Sequence, residues 1–357
     1  MKIAAFIFPV LFLSLQMVQS VSAASGLTVH GSLQADMSGW YQEYDQTDSA
    51  VSFAGVNMLT LEVKTPKLKQ AKVEGILDIY QLYGKSAEYY LAALPPTAAS
   101  FSGDAPIVLD LRTLYGSLYL SWADVTIGRQ IVNYGKGMLF SPLDVFSTVN
   151  PLELSFKRSG SNIAMAAIPI GDLSGVDIVS EFPIGEHDYA SSVRGFTTLN
   201  GWDLSAVGIY RHQSQEVTGG IAFKGDLEVG VTGELVTHYG RETDVTRFEA
   251  MAGVDYSLKN TVFFITEYWY RPDEKTVSIY GEHNLFGSVQ YIINDLMSVS
   301  AVIIAALPEE HVLATLQYQY NILQSVDTQW FMRYYKLESL GGMIPDGEAG
   351  VRVVISF

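Results

Sequence analysis

Cysteine is absent from the 357 residues. That excludes a disulfide scaffold, thiolate catalysis and a Cys-ligated zinc site. Basic residues are few: 22 Lys and Arg stand against 38 Asp and Glu, a formal charge of −16, which argues against nucleic acid as a partner. Charge of either sign is sparse at 17%, below the ~25% of an ordinary soluble domain. Beyond the N-terminal segment no stretch reaches the ~18 consecutive apolar residues of a spanning helix. What is plentiful is 21 Tyr, 17 Phe, 5 Trp and 31 Gly, a composition for many strands and turns.

The first residues read as an address. Lys2 is followed by an apolar run from Ile3 to Val18 and then by Ser20, Ser22, Ala23, Ala24 and Ser25. A short basic region, an apolar stretch and a small-residue exit form a secretory signal peptide. Cleavage is expected after Ala23 or Ala24, leaving residues 24–357 as a single exported domain without linkers or low-complexity runs.

The remainder alternates. Leu227, Val229, Val231, Gly233 and Leu235 share one parity, and Glu228, Gly230, Thr232, Glu234 and His238 the other, with Val236 as an exception. Phe248, Ala250, Ala252, Val254 and Tyr256 oppose Arg247, Glu249, Met251, Gly253 and Asp255. Period two means strands with one apolar and one polar face. Eighteen strands are predicted, at 27–40, 52–65, 70–83, 107–121, 124–131, 161–168, 175–182, 187–199, 201–212, 215–224, 226–239, 245–257, 261–271, 280–292, 296–307, 311–321, 325–334 and 348–357. Sixteen would fit almost as well. Near Phe263, Ile265 and Trp269 the faces cannot be assigned, because Glu267 shares their parity.

Most of these strands reach the ~9–11 residues that cross a bilayer at a tilt. Tight connections at Pro66 to Lys69, Trp122–Ala123, Asn200, Gly225, Leu258 to Asn260 and Asn294–Asp295 alternate with longer ones at 41–51, 84–106, 132–160, 272–279 and 335–347. That asymmetry, with an even strand count, is the plan of an all-β, transmembrane, antiparallel up-and-down barrel with both termini on the short-turn side. Its apolar parity is rich in Gly, Ala and Tyr, which suits a smooth lipid wall better than the interdigitating core of a sandwich. Aromatics gather near strand ends, as at an interfacial girdle: Trp40, Tyr41, Tyr80, Tyr83, Tyr119, Trp122, Trp202, Tyr210, Tyr268 to Tyr270, Tyr334 and Tyr335.

At the C-terminus Val351, Val353, Ile355 and Phe357 alternate with Arg352 and Ser356. This resembles the closing-strand signal of bacterial outer-membrane proteins and implies the barrel-assembly machinery as a partner, through Phe357. The 132–160 connection breaks the rule for polar loops. It carries Tyr134, Phe140, Leu143, Val145 and Phe146, the glycines 135 and 137, and Pro142 and Pro151, and such a segment seeks burial. It resembles the in-folding constriction loop of porins. The Gly128-Arg129-Gln130…Tyr134-Gly135…Ser141-Pro142-Leu143-Asp144 pattern is similar to a segment of porin-like barrels of poorly described function. The resemblance implies a diffusion channel for small polar solutes whose bore the loop sets, with Arg112, Arg129, Asn133, Tyr134, Lys136, Ser141, Asp144, Arg247 and Glu249 as pore-lining or constriction residues. The other reading is a barrel that does not conduct and serves envelope organisation, adhesion or polymer assembly.

Enzymatic signatures are weak. Gly128 with Gly135-Lys136 has the wrong spacing for a phosphate loop, and Gly137 stands where Ser or Thr must hold magnesium. The six histidines contain no His-x-x-x-His pair, so no zinc site is expected, and no cofactor is implied. His212-Gln213-Ser214 is similar to the His-x-Ser of outer-membrane phospholipase, but that family continues Asn-Gly, and here Gln215 and Glu216 follow; no third group is identified to orient a base. An outer-membrane hydrolase is therefore a minor alternative. Glu186-His187-Asp188 reads as a solvated loop tip rather than a metal clamp.

The polar parity is of mixed sign: Glu62, Lys64, Lys72, Glu74, Asp78, Asp110, Arg112, Arg129, Arg194, Asp203, Arg211, Glu228, Glu234, Arg247, Glu249, Asp255, Glu282, Asp327, Arg333 and Arg352. Such a wall can pair its charges across neighbouring strands. The longer loops are acidic, with Glu43, Asp45, Asp48, Asp104, Glu242, Asp244, Asp273, Glu274, Glu309, Glu310, Asp346 and Glu348. An acidic mouth enriches cations, so a mild preference for cations or neutral solutes is expected. Divalent bridging to lipopolysaccharide is an equal reading. Outer-membrane lipid and lipopolysaccharide are the expected surroundings, and a homo-oligomer is left open.

Overall fold

The computed structural model describes residues 26–45, 48–66, 70–92, 98–101, 103, 105–147, 149–182, 189–259, 261–272, 279–308, 310–337 and 344–357. The expected signal peptide, the Glu186-His187-Asp188 tip and the mouth residues Asp104, Asp273, Glu274 and Glu309 lie outside them.

Among the described residues nineteen strands follow one another: β1 Thr28–Asp45, β2 Asp48–Lys64, β3 Ala71–Gly84, β4 Ala99–Phe101, β5 Ile107–Tyr119, β6 Asp124–Gln130, β7 Ser161–Gly171, β8 Ser174–Glu181, β9 Ala190–Leu199 and β10 Trp202–Arg211. The second half runs β11 Glu216–Asp226, β12 Gly230–Gly240, β13 Val245–Leu258, β14 Val262–Tyr270, β15 His283–Asn294, β16 Met297–Leu307, β17 His311–Leu323, β18 Val326–Lys336 and β19 Gly347–Ser356. A helix, α1, covers Lys85–Ala92. β4 is a three-residue addition on the edge of β5. The other eighteen pair antiparallel with their chain neighbours, β3 with β5, and β19 closes on β1 from Ser32↔Ser356 to Tyr41↔Gly347. The barrel is thus closed with eighteen strands, and the sixteen-strand alternative falls.

Closure follows from the alternating faces. Outward residues such as Ile221, Phe248, Ile303, Leu316 and Met332 are about half exposed. They form the apolar wall that a bilayer covers, because only a sheet without edges satisfies its backbone in lipid. Inward residues pair instead. Arg352 donates to Asp36 at 2.8 and 2.7 Å, directly across β19 and β1, and Arg194 does the same to Asp177 across β9 and β8. Outward glycines make room for aromatic rings on the next strand. A Cβ on Gly233 would stand 2.4 Å from the ring of Phe223, its register partner. One on Gly31 would stand 2.4 Å from the terminal ring of Phe357, whose amide and carbonyl bond both polar groups of Gly31 at 2.9 Å.

Several expectations are corrected. The 41–51 segment is not a long loop: β1 runs to Asp45 and β2 begins at Asp48. An 18-residue strand at ~3.4 Å per residue reaches about 60 Å, more than the roughly 40 Å needed to cross a ~30 Å core at 45°, so this hairpin rises above the wall. Among the described residues of 84–106, α1 and β4 replace the expected loop. Gly225 belongs to β11, and the turn lies at residues 227–229, which takes Glu228 out of the wall. Not every aromatic near a strand end belongs to a girdle. Tyr41, Trp122, Tyr268 and Tyr334 are exposed on the outside, whereas Trp40 and Tyr80 line an internal cavity, and Trp269 and Tyr335 join a buried cluster inside the barrel. Glu348 is not a loose mouth carboxylate. It is on β19, where it accepts from Trp40 Nε1 at 3.1 Å and from the Tyr335 hydroxyl at 3.0 Å.

Candidate functional site: the in-folded loop

Between β6 and β7 the chain turns into the barrel. At Gly128 φ is +131°, and a Cβ there would meet Leu114 O at 2.3 Å, so only glycine allows this bend at the root of the loop. Inside, the segment is braced by its own polar groups. Asp144 Oδ1 accepts from the amides of Tyr134 and Gly135, both at 2.7 Å, and Arg158 Nη1 donates to Asp144 Oδ2 at 2.6 Å. Ser147 Oγ accepts from Val132 N at 3.1 Å, and its carbonyl accepts from Arg158 at 2.8 Å. One aspartate therefore ties the outgoing, middle and returning parts of the loop together.

Two carboxylates of the wall hold the braced loop in place. Glu234, on β12 and without solvent exposure, accepts from Lys136 N at 2.7 Å and Gly137 N at 3.3 Å on Oε1, and from Ser141 Oγ at 3.1 Å and Leu143 N at 3.2 Å on Oε2. Glu267, on β14, accepts from Met138 N on Oε1, and from Leu139 N at 3.1 Å and Phe140 N at 2.9 Å on Oε2. Charge-assisted bonds of this kind are about twice as strong as neutral ones. The close fit also requires small residues. A Cβ on Gly135 would lie 1.5 Å from Ser141 Oγ, and one on Gly137 would lie 1.9 Å from Phe140 O.

Apolar side chains complete the docking. Val132, Tyr134, Leu143 and Phe146 pack on Ile163, Val179, Ala190, Val207, Ile209, Ala222 and Val236 of the wall. Leu139 and Phe140 pack on Met251, Phe286, Ile304, Leu313 and Tyr335, joined by Trp269 and by Leu152 and Phe156 from the returning half. Phe140 alone has ring neighbours at 5.6 Å (Trp269), 5.7 Å (Tyr280) and 6.3 Å (Phe286). Burying each such side chain contributes ~1.5–3 kcal/mol. This footprint explains where the alternation failed. Val236, Ile265 and Trp269 are apolar yet point inward because the loop covers them.

The nine residues singled out from the sequence divide into four groups. Tyr134, Ser141 and Asp144 fasten the loop, and Lys136 does so through its amide. Tyr134 also bonds Ser192 Oγ at 2.8 Å and lies under the Arg194 guanidinium at 4.8 Å; burial raises its phenol above the ordinary value. Asn133 is exposed to the lumen, and its carbonyl accepts from Arg194 at 3.4 Å. Arg112 pairs with Asp78 at 2.9 Å, and Arg129 is buried at the root of the loop. Arg247 and Glu249 belong to a separate cluster on β11–β13. There Arg247 meets Glu216 at 2.6 Å, and His238 stands between Glu216 at 3.3 Å and Glu249 at 3.2 Å. In the His212-Gln213-Ser214 segment, His212 Nε2 bonds Ser191 Oγ at 3.0 Å and its ring stacks on Tyr189.

Sequence reasoning missed the roles of Glu234, Glu267, Glu153 and Lys157. The last two sit where the returning half of the loop, residues 152–157, passes β1, β2, β18 and β19 and leaves a cavity of about 80 Å³. Around it Asp36 is engaged by Arg352, and Glu348 by Trp40 and Tyr335. Burial raises the Glu153 carboxyl above its ordinary range and lowers the Lys157 ammonium below its own.

The chain matches no protein-family model and no curated protein sequence. Solved structures do resemble it. Acinetobacter baumannii OccAB4 aligns over 92% of this chain and 98% of its own, with 8% identity and a TM-score of 0.56. Pseudomonas aeruginosa OccK11 aligns over 93% and 95%, with 10% identity and a TM-score of 0.59. A variant of Rhodopseudomonas blastica porin aligns over 93% and 100%, with 9% identity and a TM-score of 0.50. At such identities the likeness is one of fold, and the fold is that of the porin-like barrels.

Proposed function

We propose that this chain is a porin-like channel of the bacterial outer membrane, through which small polar solutes diffuse passively. One observation carries the reading: a loop is fastened across the inside of a closed barrel by two buried wall carboxylates, and a charged cavity remains beside it. A plug built only to fill space has no need of ion-paired rungs around the remaining opening. The loop sets the bore, the rungs orient solutes, and the apolar outer wall lies in lipid with lipopolysaccharide at the acidic rim. The C-terminal strand and Phe357 support recognition by the barrel-assembly machinery, and a cleaved signal peptide would deliver the chain there.

The second reading, a barrel that does not conduct, draws on the breadth of the docking, which spans wall residues from Ile163 to Tyr335. Reconstitution into planar bilayers separates the two. A channel gives stable unitary conductance that rises when residues 134–146 are deleted. Silence from both the intact and the deleted protein sinks the channel reading. Reversal potentials in a salt gradient test the mild cation preference assigned to the mouth, and a clear anion preference ends it.

A further inference from the structure

We propose that the cavity beside the returning half of the loop binds small zwitterions, with Glu153 receiving the cationic end and Lys157 the carboxylate. The starting point is which charges around it are already neutralised. Asp36 and Arg352 form a bidentate pair at 2.8 and 2.7 Å. Asp78 is engaged by Arg112 at 2.9 Å. Arg333 and Glu348 share the Tyr335 hydroxyl, at 2.9 and 3.0 Å. Each wall pair presents almost no net charge to a solute.

Glu153 and Lys157 differ. Both line the cavity and both are partly buried. Among the described residues the Glu153 carboxylate has no hydrogen bond or ion pair, and the Lys157 ammonium donates only to the thioether of Met58 at 3.2 Å. They do not pair with each other, although only three residues separate them. A partly buried charge without a partner is costly, and burial pushes both groups towards their neutral forms. A solute with one charge relieves one group and leaves the other uncompensated. A solute with both charges relieves the two together. Trp40 and Tyr80 line the same cavity, and aromatic faces attract ammonium groups, quaternary ones included. At ~30 Å³ of liquid volume per water the space holds only a few waters, which limits the ligand to a compact molecule.

The inference has two halves: binding, which stands apart from the channel reading, and passage of the bound zwitterion through the barrel, which rests on it. The test is calorimetry on the full barrel in detergent with glycine betaine, and with tetramethylammonium and acetate as its two separate ends. Betaine is expected to bind roughly tenfold or more tighter than either end, since each of its ends compensates a partly buried charge that is otherwise unpaired. Glu153→Gln should remove that advantage over acetate, Lys157→Gln the advantage over tetramethylammonium, and the exchange of Glu153→Lys with Lys157→Glu should restore betaine binding. Equal affinities for the three probes, or single variants that bind betaine as the native protein does, overturn the proposal. Swelling of liposomes carrying the protein then reads transport. Betaine entering faster than a neutral solute of its size supports the transport half. Entry no faster refutes that half, and no entry of any solute counts against the channel while leaving the calorimetric result to stand.

Discussion

Replacing Glu234 by glutamine is the most direct probe of how the loop is held. Glutamine keeps the shape of the side chain, but one carboxylate oxygen becomes an NH2 group. If the Oε1 side becomes the NH2 group, Lys136 N and Gly137 N face another donor; if the Oε2 side does, Leu143 N faces one while the Ser141 hydroxyl turns to accept. Leaving a buried donor unsatisfied costs ~1–3 kcal/mol, so the change removes about 1–3 kcal/mol from docking in the better of the two orientations. Water entering from the lumen shifts this towards the lower bound. At about 1.4 kcal/mol per decade, a loss of ~2 kcal/mol raises the undocked fraction roughly 30-fold. In single-channel recordings the native barrel should hold a steady level. Glu234→Gln should flicker to larger conductances, and the double change with Glu267→Gln should stay there. The strand content should be unchanged by circular dichroism, because the loop contributes no rung to the wall. A doubly substituted protein with native conductance and native noise would refute the reasoning.

Gly137→Val should mimic the loss of the clamp, since its Cβ would meet Phe140 O at 1.9 Å, whereas Gly208→Val, with open space around it, should leave conductance unchanged. Asp144→Ala removes the acceptor of Tyr134 N and Gly135 N and the partner of Arg158. Trypsin should then cut at Lys136 or Arg158 at least tenfold faster, and equal cleavage rates would count against the brace. Gly31→Leu would collide with the Phe357 ring and should lower the yield of folded barrel in refolding trials, a result that Gly39→Leu, in open space, should not reproduce. Because burial raises the Glu153 carboxyl, it takes up its proton as pH falls while still above the ordinary carboxylate range near ~4.3. Lys157, Arg352 and Arg112 oppose that uptake, and Asp78 favours it. Affinity for tetramethylammonium should therefore weaken on acidification within that window, and Glu153→Gln should show no such dependence there.

The barrel was legible because lipid demands it: one parity of every strand must be apolar, as Phe248, Val254 and Leu316 illustrate. The tall β1–β2 hairpin was not, since above the bilayer that demand ceases and Asp45 and Asp48 resemble loop residues. The apolar anchors of the 132–160 loop announced burial, but its partners did not announce themselves. Glu234 lies 91 residues beyond Leu143, and Glu267 lies 129 beyond Met138, and no local period links such distant positions. A signal did exist in the flaws of the alternation. Glu234 is followed on its own face by Val236, and Glu267 is flanked on its face by Ile265 and Trp269. Carboxylates set among inward apolar residues mark where a dry segment with bare amides comes to rest.

Lys136, Met138, Leu139 and Leu143 reach the two glutamates through peptide nitrogens, which every amino acid except proline possesses. Mooring is thus written into the path of the backbone and not into the identity of these residues. Side chains such as Lys136 or Met138 could drift in charge and size, retuning what the passage admits, while the berth itself stays intact.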